Sequence, residues 1–371
     1  MKKVTDIDNL AGKYVILRSS LNIPLKDGKV RNKFRLERAL PTMRYLHESG
    51  AKVIVLAHIG REKNETLKPV FTELEKYLPI QWGGDLLSEE FKQRRNIMGN
   101  GDLLLAENTR KYDGEKENYE EFVLSIASMG EIYVNDAFAA AHRNHASTYG
   151  VAKKLPAYAG LTLIEEVAEL TKVMNPESPS LFLLGGAKFD TKMPLVEKYL
   201  KIYDRIFIGG ALTNDVLKAK GYEVGESLVS DVSLEGAGFL DNPKLILPID
   251  LIVDGPNGRQ VKELDKVAID EKILDCGPMT INMIATYIEK AKTILWNGPF
   301  GAYELGYTES TEITARHVAA ADARTVVGGG DTVAAVEKLE INDLFTFVSI
   351  GGGSMLTFLE DGHTEVIDLL K

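Results

Sequence analysis

Residues 181–192 read Leu-Phe-Leu-Leu-Gly-Gly-Ala-Lys-Phe-Asp-Thr-Lys. The apolar run Leu181–Leu184 suits a strand buried on both faces, and Gly185-Gly186 lets the backbone turn and come close to a ligand. From Thr191 onward a helical pattern takes over, with Met193, Val196 and Leu200 on one side. A strand, a glycine turn and a helix in that order favour an anion, because the first amides of the helix lack carbonyl partners. Lys188 and Lys192 stand four apart beside the turn, where two ammonium groups can hold a phosphate. The glycines alone decide nothing, since many strand-to-helix turns carry them. The segment is neither the Gly-x-x-x-x-Gly-Lys-Ser/Thr phosphate loop nor the Gly-x-Gly-x-x-Gly dinucleotide turn, and neither occurs elsewhere in the chain.

A length of 371 residues exceeds one ordinary core and suits two α/β domains. Hydrophobic residues make up 44% and charged ones 26%, the balance of a soluble protein. Met1-Lys2-Lys3 leads into Val4-Thr5-Asp6-Ile7-Asp8, which has no apolar core, so no signal peptide is read. No apolar run is long enough to span a bilayer, and the single Cys276 excludes a disulfide framework or multi-cysteine zinc site. A cytoplasmic enzyme without a membrane partner is expected. The net charge of −10 is uneven, since residues 1–160 hold 25 basic and 21 acidic side chains and the remainder 19 and 33. The first half carries its excess as single arginines rather than as a basic block, which speaks for a small anion and against nucleic acid.

In that half, Tyr14–Arg18, Lys52–Ala57, Asp102–Ala106 and Glu131–Asn135 read as strands, with helical patterns over Leu36–Glu48 and Asn118–Ser128 between them. Such alternation predicts a doubly wound parallel sheet whose ligands lie outside the carboxyl ends of its strands. The strand exits are Arg18-Ser19-Ser20-Leu21-Asn22-Ile23-Pro24, His58-Ile59-Gly60-Arg61, Glu107-Asn108-Thr109-Arg110, and Asn135-Asp136-Ala137-Phe138 running on to His142-Arg143-Asn144-His145. Arg35 precedes the first helix. Any one arginine is explained as a solvated surface residue, but a set behind consecutive strands matches phosphate and carboxylate oxygens. His58, His142 and His145 lack metal-ligand spacing and read as hydrogen-bonding histidines, with His58 best placed to touch an anion. Asp136 reads as ordering its own loop.

Pro156, Gly160 and the Asn175-Pro176-Glu177-Ser178-Pro179 break flank one amphipathic helix over Leu161–Val173, taken as the connector, with the domain boundary near 160. No internal repeat or low-complexity linker appears, so the halves are expected to be joined stiffly. Arg205–Ile208, Leu245–Val253, Thr293–Trp296, Thr325–Val327 and Thr346–Ile350 repeat the strand signal. Their exits are glycine-rich at Gly209-Gly210, Asn297-Gly298-Pro299-Phe300-Gly301, Gly328-Gly329-Gly330-Asp331-Thr332 and Gly351-Gly352-Gly353. Repeated glycine turns cost backbone entropy unless a ligand must come close. Asp331 opens a helix, where it serves either as an N-cap or as a single carboxylate for Mg²⁺ held mainly through water and phosphate oxygens. One domain thus reads as built for a compact polyanion and the other for a nucleotide, a division that points to phosphoryl transfer.

With these motifs in hand, the chain resembles the phosphoglycerate kinase family over nearly its whole length. The resemblance rests on Arg-x-x-x-Asn-Ile-Pro at 18–24, His-Ile-Gly-Arg at 58–61, Asn-Asp-Ala-Phe with His142-Arg143, and Gly-Gly-Ala-Lys with Lys192. It rests further on Asp275-Cys276-Gly277-Pro278, Trp296-Asn297-Gly298-Pro299, Gly-Gly-Gly-Asp-Thr at 328–332 and Gly-Gly-Gly at 351–353. It implies two Rossmann-like domains joined by a connecting helix and hinge, residues 1–160 binding phosphoglycerate and 161–359 the nucleotide. The tail from about 360 to 371 is expected to pack back on the first. It implies reversible transfer of the acyl phosphate of 1,3-bisphosphoglycerate to Mg-ADP by a monomer. Ser20, Asn22, His58, Arg61, Arg110 and Arg143 would then hold the triose, with Arg35 aimed at the transferring group. Gly186, Ala187, Lys188, Asn297, Pro299, Gly329 and Gly330 would line the ADP site, Glu304 would fix the ribose, and Asp331 with Thr332 would take the metal–phosphate end. Lys192 would join Arg35 as the second catalytic cation when the domains close.

Some positions depart from the family pattern. Ser20 stands where the family usually has an aspartate for the substrate hydroxyl, a change expected to cost about 1–3 kcal/mol of binding. Ala139 and Ala140 replace the usual Gly-Thr, Ala211 replaces a glycine, and Ile350 and Met355 replace smaller polar residues. An active but weakened kinase is the expectation. The alternatives are a catalytically impaired nucleotide-binding relative and, on the α/β pattern alone, a nicotinamide-dependent oxidoreductase without its dinucleotide turn.

Overall fold

Apolar runs without alternation, such as Val15-Ile16-Leu17 and Val53-Ile54-Val55, are satisfied only by a sheet covered on both faces. The computed structural model describes residues 1–30, 33–187, 189–234 and 236–371 and buries the side chains of both of these runs. The chain divides into two units, Met1–Ala168 with Asp361–Lys371, and Glu169–Glu360. The helix Leu161–Met174 runs through the division between Ala168 and Glu169.

The first unit holds a six-stranded sheet in the order Ile80–Gly84, Leu103–Ala106, Lys52–Leu56, Tyr14–Ser19, Ile132–Asp136, Ala157–Ala159, with every pair parallel. Chain order reverses at Tyr14–Ser19, whose neighbours are Lys52–Leu56 on one side and Ile132–Asp136 on the other. In that register Arg18 stands beside Leu56 and Asn135 at the carboxyl edge. The helix Phe34–Glu48 covers the sheet with Leu36, Leu40 and Met43, positions i, i+4 and i+7 of one stripe, and thereby places Arg35 in its first turn. The closing segment Asp361–Lys371 belongs to this unit: the Lys2 amide donates to the Leu370 carbonyl at 2.6 Å and Asn144 Nδ2 to Glu365 Oε2 at 2.7 Å.

The second unit holds another six-stranded parallel sheet, ordered Leu245–Ile246, Arg205–Ile208, Ser180–Leu184, Thr293–Asn297, Arg324–Gly328, Phe347–Val348. Ser180–Leu184 and Thr293–Asn297 lie side by side where the order reverses, so the crevice beyond Leu184 and Asn297 is the topological switch point. A small antiparallel sheet of Gln260–Glu263, Asp250–Asp254 and Lys272–Cys276 flanks it.

The structure amends the sequence expectations at particular places. Leu245–Val253 is two strands in different sheets, because Pro248 interrupts the run and the chain leaves the parallel sheet there. The helix after the first glycine turn begins at Met193; Phe189–Thr191 is a short 3₁₀ turn and Lys192 is the N-cap. Both edge strands of the first sheet, Ile80–Gly84 and Ala157–Ala159, carry too little apolar sequence to be recognised.

Candidate active site

Because the first sheet is wholly parallel, its exit loops gather their polar residues at one edge. Arg18 is fully buried there. Its Nη1 donates to the Ser19 carbonyl at 2.6 Å, its Nε to Ser147 Oγ at 2.8 Å, and its Nη2 lies 2.7 Å from His58 Nδ1. Arg110, also buried, donates through Nη1 to the Gly60 carbonyl, while its Nε is buried without a hydrogen-bond partner among the described residues. Burial first, then repulsion from Arg143 and Arg18, lowers the pKa of Arg110. Burial likewise lowers that of Arg18, with Glu115 opposing. A guanidinium buried among other guanidinium groups with a donor to spare is an environment that a polyanion relieves.

Burial and the neighbouring arginines hold the histidines of this edge neutral. His58 is pushed far below its ordinary pKa, and His142 and His145 are each lowered to about 4. Arg143 Nε donates to His142 Nε2 at 3.0 Å. Asn22 Oδ1 accepts from the Gly60 amide at 2.9 Å, tying the first exit loop to the second. The amides of Arg61 and Glu62 both donate to Glu65 Oε2, at 2.5 and 2.7 Å, which holds this loop while the Arg61 side chain stays exposed. Ser20 Oγ is buried with no hydrogen-bond partner among the described residues. Asp136 accepts from the Leu163 amide at 3.0 Å, joining its strand exit to the start of the long helix, and burial raises its pKa to about 6.

In the second unit the glycines meet at the switch point. The Gly185 amide donates to the Asn297 carbonyl at 2.9 Å and the Gly186 amide to the Pro299 carbonyl at 2.7 Å. A Cβ on Gly298, whose φ is +95°, would lie 2.2 Å from the Gly185 carbonyl oxygen, so only glycine lets the two turns touch. Beside them opens a cavity of about 450 Å³ whose walls include Gly186, Ala187, Pro299 and Glu304. A second cavity of about 260 Å³ is lined by Lys192, Asn297, Gly329, Gly330 and Asp331. The two share Gly186, Ala187, Pro299 and Asp331, and their sizes suit a small-molecule ligand with an apolar and a charged end.

Lys192 is almost fully buried at the charged end. Its Nζ donates to the Gly185 carbonyl at 2.5 Å, and burial lowers its pKa to about 8 although Asp331 pulls upward. Asp331 is exposed in the first turn of the helix Gly330–Lys338, entered through Gly329 at φ +96°. Thr332 is buried, and its Oγ1 accepts from the Gly298 amide at 3.0 Å, so it braces the glycine turn from behind. Asn297 is buried with Nδ2 3.6 Å from Met355 Sδ, a weak acceptor. Glu304 is exposed in the turn Tyr303–Leu305 at the larger cavity. Lys188 lies outside the described residues.

Among the described residues no group of His, Cys, Asp or Glu could hold a metal by itself, and no helix is long and apolar enough to cross a membrane. The donor set at the charged end, a single exposed carboxylate beside helix-terminal amides, fits Mg²⁺ bound chiefly through a ligand's phosphate oxygens and water.

Sequence reasoning passed over several residues of these sites. Arg18 was visible as a strand-end arginine but carried no role of its own. Ser147 and Glu115, which complete its surroundings, lie in the short helical turns Ala146–Gly150 and Asp113–Lys116, which carry no motif. Gly210, Asn214 and Leu228 also line the larger cavity; Gly210 belongs to a glycine exit that was seen, whereas nothing marked the others.

Comparison with known proteins bears on both sites. A family model described as phosphoglycerate kinase matches residues 4–362. A phosphoglycerate kinase of Rhizobium meliloti is 39% identical over 393 residues, covering 100% of this chain and 98% of that protein. One of Brucella melitensis is 39% identical over 396 residues, covering 100% of both. Among solved structures, phosphoglycerate kinase from Coxiella burnetii superposes with a TM-score of 0.84 at 37% identity, covering 99% of this chain and 98% of that one. The enzyme from Pyrococcus horikoshii does so with 0.88 at 28% identity, covering 100% and 98%.

Proposed function

The chain belongs to the phosphoglycerate kinase family, and on that premise we propose which of its residues carry the reaction. It is a phosphotransferase that moves a phosphoryl group reversibly from 1,3-bisphosphoglycerate to ADP, giving 3-phosphoglycerate and ATP. In our reading the first unit binds the triose and the second the nucleotide. The observation that supports this division is the buried Arg110, repelled by Arg18 and Arg143 and with an Nε unpartnered among the described residues of the first unit, while the glycine-lined cavities described above lie in the second.

Within the first unit, Arg110, Arg143 and Arg61 neutralise the phosphate and carboxylate of the triose, and His58 and Asn22 donate to its oxygens. Ser20 faces the substrate hydroxyl with a short neutral side chain, so triose binding is weaker than an aspartate would make it. In the second unit the nucleoside takes the larger cavity, with Glu304 at the ribose and Gly186, Ala187 and Pro299 against its faces. The phosphates take the smaller one, against Gly329, Gly330 and Asn297, with Thr332 bracing the glycine turn behind them and Lys188 and Lys192 as cations. Asp331 would hold Mg²⁺, which supplies charge neutralisation across the nucleotide's terminal phosphates when bound.

The chemistry asks little covalent help from the protein. The bond broken joins the migrating phosphorus to the acyl oxygen, and the bond formed joins it to the terminal oxygen of ADP. In the reverse direction the 3-phosphoglycerate carboxylate is already a competent nucleophile, so no general base is needed. Charge spreads over the equatorial oxygens of the migrating group, and Arg35 and Lys192 stabilise it there. Arg35 is in the first unit and Lys192 in the second, so neither unit carries both cations. We further propose a cytoplasmic monomer with no nucleic-acid or membrane partner.

The test is ATP-forming turnover from 1,3-bisphosphoglycerate and Mg-ADP, read by coupling ATP to a reporter enzyme. Saturable turnover in both substrates is expected. Tight Mg-ADP binding without ATP formation would support the impaired relative instead.

A further inference from the structure

A chain of hydrogen bonds behind the triose site has only one consistent direction. Both the amide and the hydroxyl of Ser147 donate to Glu115, the amide to Oε2 at 3.0 Å and Oγ to Oε1 at 2.6 Å. A serine hydroxyl has a single proton, so toward Arg18 Ser147 Oγ can only accept, which it does from Nε at 2.8 Å. The guanidinium has no acceptor, so across the 2.7 Å contact Arg18 Nη2 donates and His58 Nδ1 accepts. The remaining proton of His58 must then sit on Nε2. Every member of the chain is buried, with Arg18 and Ser147 fully inaccessible and His58 8% exposed. Tyr133, also fully buried, donates from its hydroxyl to the Ser147 carbonyl at 2.7 Å and holds that residue in place.

We propose that Arg18 is a positioning residue of the reaction: it locks His58 in the tautomer with its proton on Nε2, so that the imidazole presents a fixed neutral N–H donor to a triose oxygen. The inference rests on the reading that His58 belongs to the triose site. Arg18 does not touch the substrate in this account; it acts through His58 alone. The groups that face His58, namely Arg18, Arg110, Arg143 and His145, all oppose a second proton on the ring, and burial adds to them. A donor fixed by a buried neighbour loses no orientational freedom when the anion arrives, which is what a preorganised site requires.

The experiment is nitrogen-resolved NMR of the full chain with labelled histidine, the His58 signal being assigned by its absence from the His58→Gln variant. The wild-type ring should show a single species protonated at Nε2 that does not titrate between about pH 5 and pH 8, the span in which an ordinary histidine changes charge. Arg18→Met should release the ring into mixed tautomers that gain a proton on acidification, and the gentler Ser147→Ala should do so in part. A wild-type ring protonated at Nδ1, or one that titrates in this span, overturns the proposal even if Arg18→Met fails to fold. A kinetic arm separates the proposal from the reading beneath it. The glutamine amide reaches the place of Nε2 and the asparagine amide that of Nδ1. His58→Gln should therefore keep KM for 3-phosphoglycerate within a few-fold, and His58→Asn should raise it about tenfold or more. The expected tautomer together with an unchanged KM in both variants would leave the Arg18 lock intact while removing His58 from the triose site, so that the failure falls on the underlying reading.

Discussion

Lys192 Nζ donates to the carbonyl oxygen of Gly185, at the point where the first glycine turn leaves its strand. The bond stows the cation proposed for catalysis against the backbone of the proposed nucleotide site, in surroundings dry enough to bring its pKa to about 8. The charged form is the one that can stabilise a migrating phosphoryl group, and it is lost as pH rises through that value. In the free enzyme, kcat/KM for Mg-ADP should therefore fall above about pH 8. Lys192→Arg keeps its charge at any such pH and should remove this alkaline limb, whatever it does to the maximal rate. The pH profile of kcat/KM for both proteins checks it. An unchanged limb in the arginine variant would assign the titration to another group.

The same shift has a consequence for stability. Lys192 has a lowered pKa in the folded state, so the unfolded chain binds more protons between about pH 8 and 10.5. Its contribution therefore makes stability rise with pH in that window. Lys192→Met should flatten the rise, as read from denaturant midpoints at pH 8, 9 and 10.

Ser20 is the departure with the clearest expected cost. Its Oγ is buried and has no partner among the described residues, so no hydrogen bond to them is sacrificed when it is replaced. Ser20→Asp should lower KM for 1,3-bisphosphoglycerate about 5- to 150-fold, the range for a hydrogen bond to a charged group, with KM for Mg-ADP unaffected. Steady-state kinetics at varied triose decide it, and an unchanged KM would remove Ser20 from the account of weak binding.

The glycine contact at the switch point predicts a different pattern. Gly298→Ala places a Cβ 2.2 Å from the Gly185 carbonyl and demands positive φ from a residue that resists it. Backbone strain alone is worth about 1–3 kcal/mol, and the turns must part to admit the methyl. Calorimetry should show Mg-ADP affinity falling, while triose binding to the first unit persists. Equal loss of both ligands would indicate general unfolding.

Acid stability is a contest whose sign can be worked out. His142 and His145, lowered to about 4, leave the unfolded state with more protons as pH falls from about 6.5, so their contribution to stability is lost in that range. Burial raises Asp136 and Asp275 to about 6, and these bind more protons when folded, which opposes the loss between about pH 6 and 3.8. Replacing both histidines with glutamine should flatten or reverse the acid decline in melting temperature between pH 6.5 and 5. A decline as steep as that of the wild type would place its origin elsewhere.

What the sequence revealed and what it hid follow from the range of the physical rules involved. Gly298, Gly329 and Arg110 announce themselves because strand, turn and exit are read within a few residues. The alternation of strands and helices likewise led to two parallel sheets. The split of Leu245–Val253 was written in Pro248 but masked by the apolar residues around it. The pairing of Arg18 with His58 joins the exits of neighbouring strands forty positions apart, and its closure by Ser147 and Glu115 depends on short helical turns without a sequence pattern. Such contacts are products of the assembled fold, and no local spacing foretells them. The stowed position of Lys192 is of the same kind: its sequence spacing marked a phosphate ligand, whereas its burial emerged only with the fold.

The account centres on Arg35 and Lys192 as cations that act on the migrating group rather than as anchors of the bound substrates. Turnover of Arg35→Ala and Lys192→Ala, measured beside calorimetric affinities for 3-phosphoglycerate and Mg-ADP, tests this most directly. The account predicts kcat lowered about 10²- to 10³-fold in each variant, as for loss of one transition-state donor, with either Kd changed far less. Turnover that survives in either variant, or that falls only in proportion to lost affinity, would contradict it.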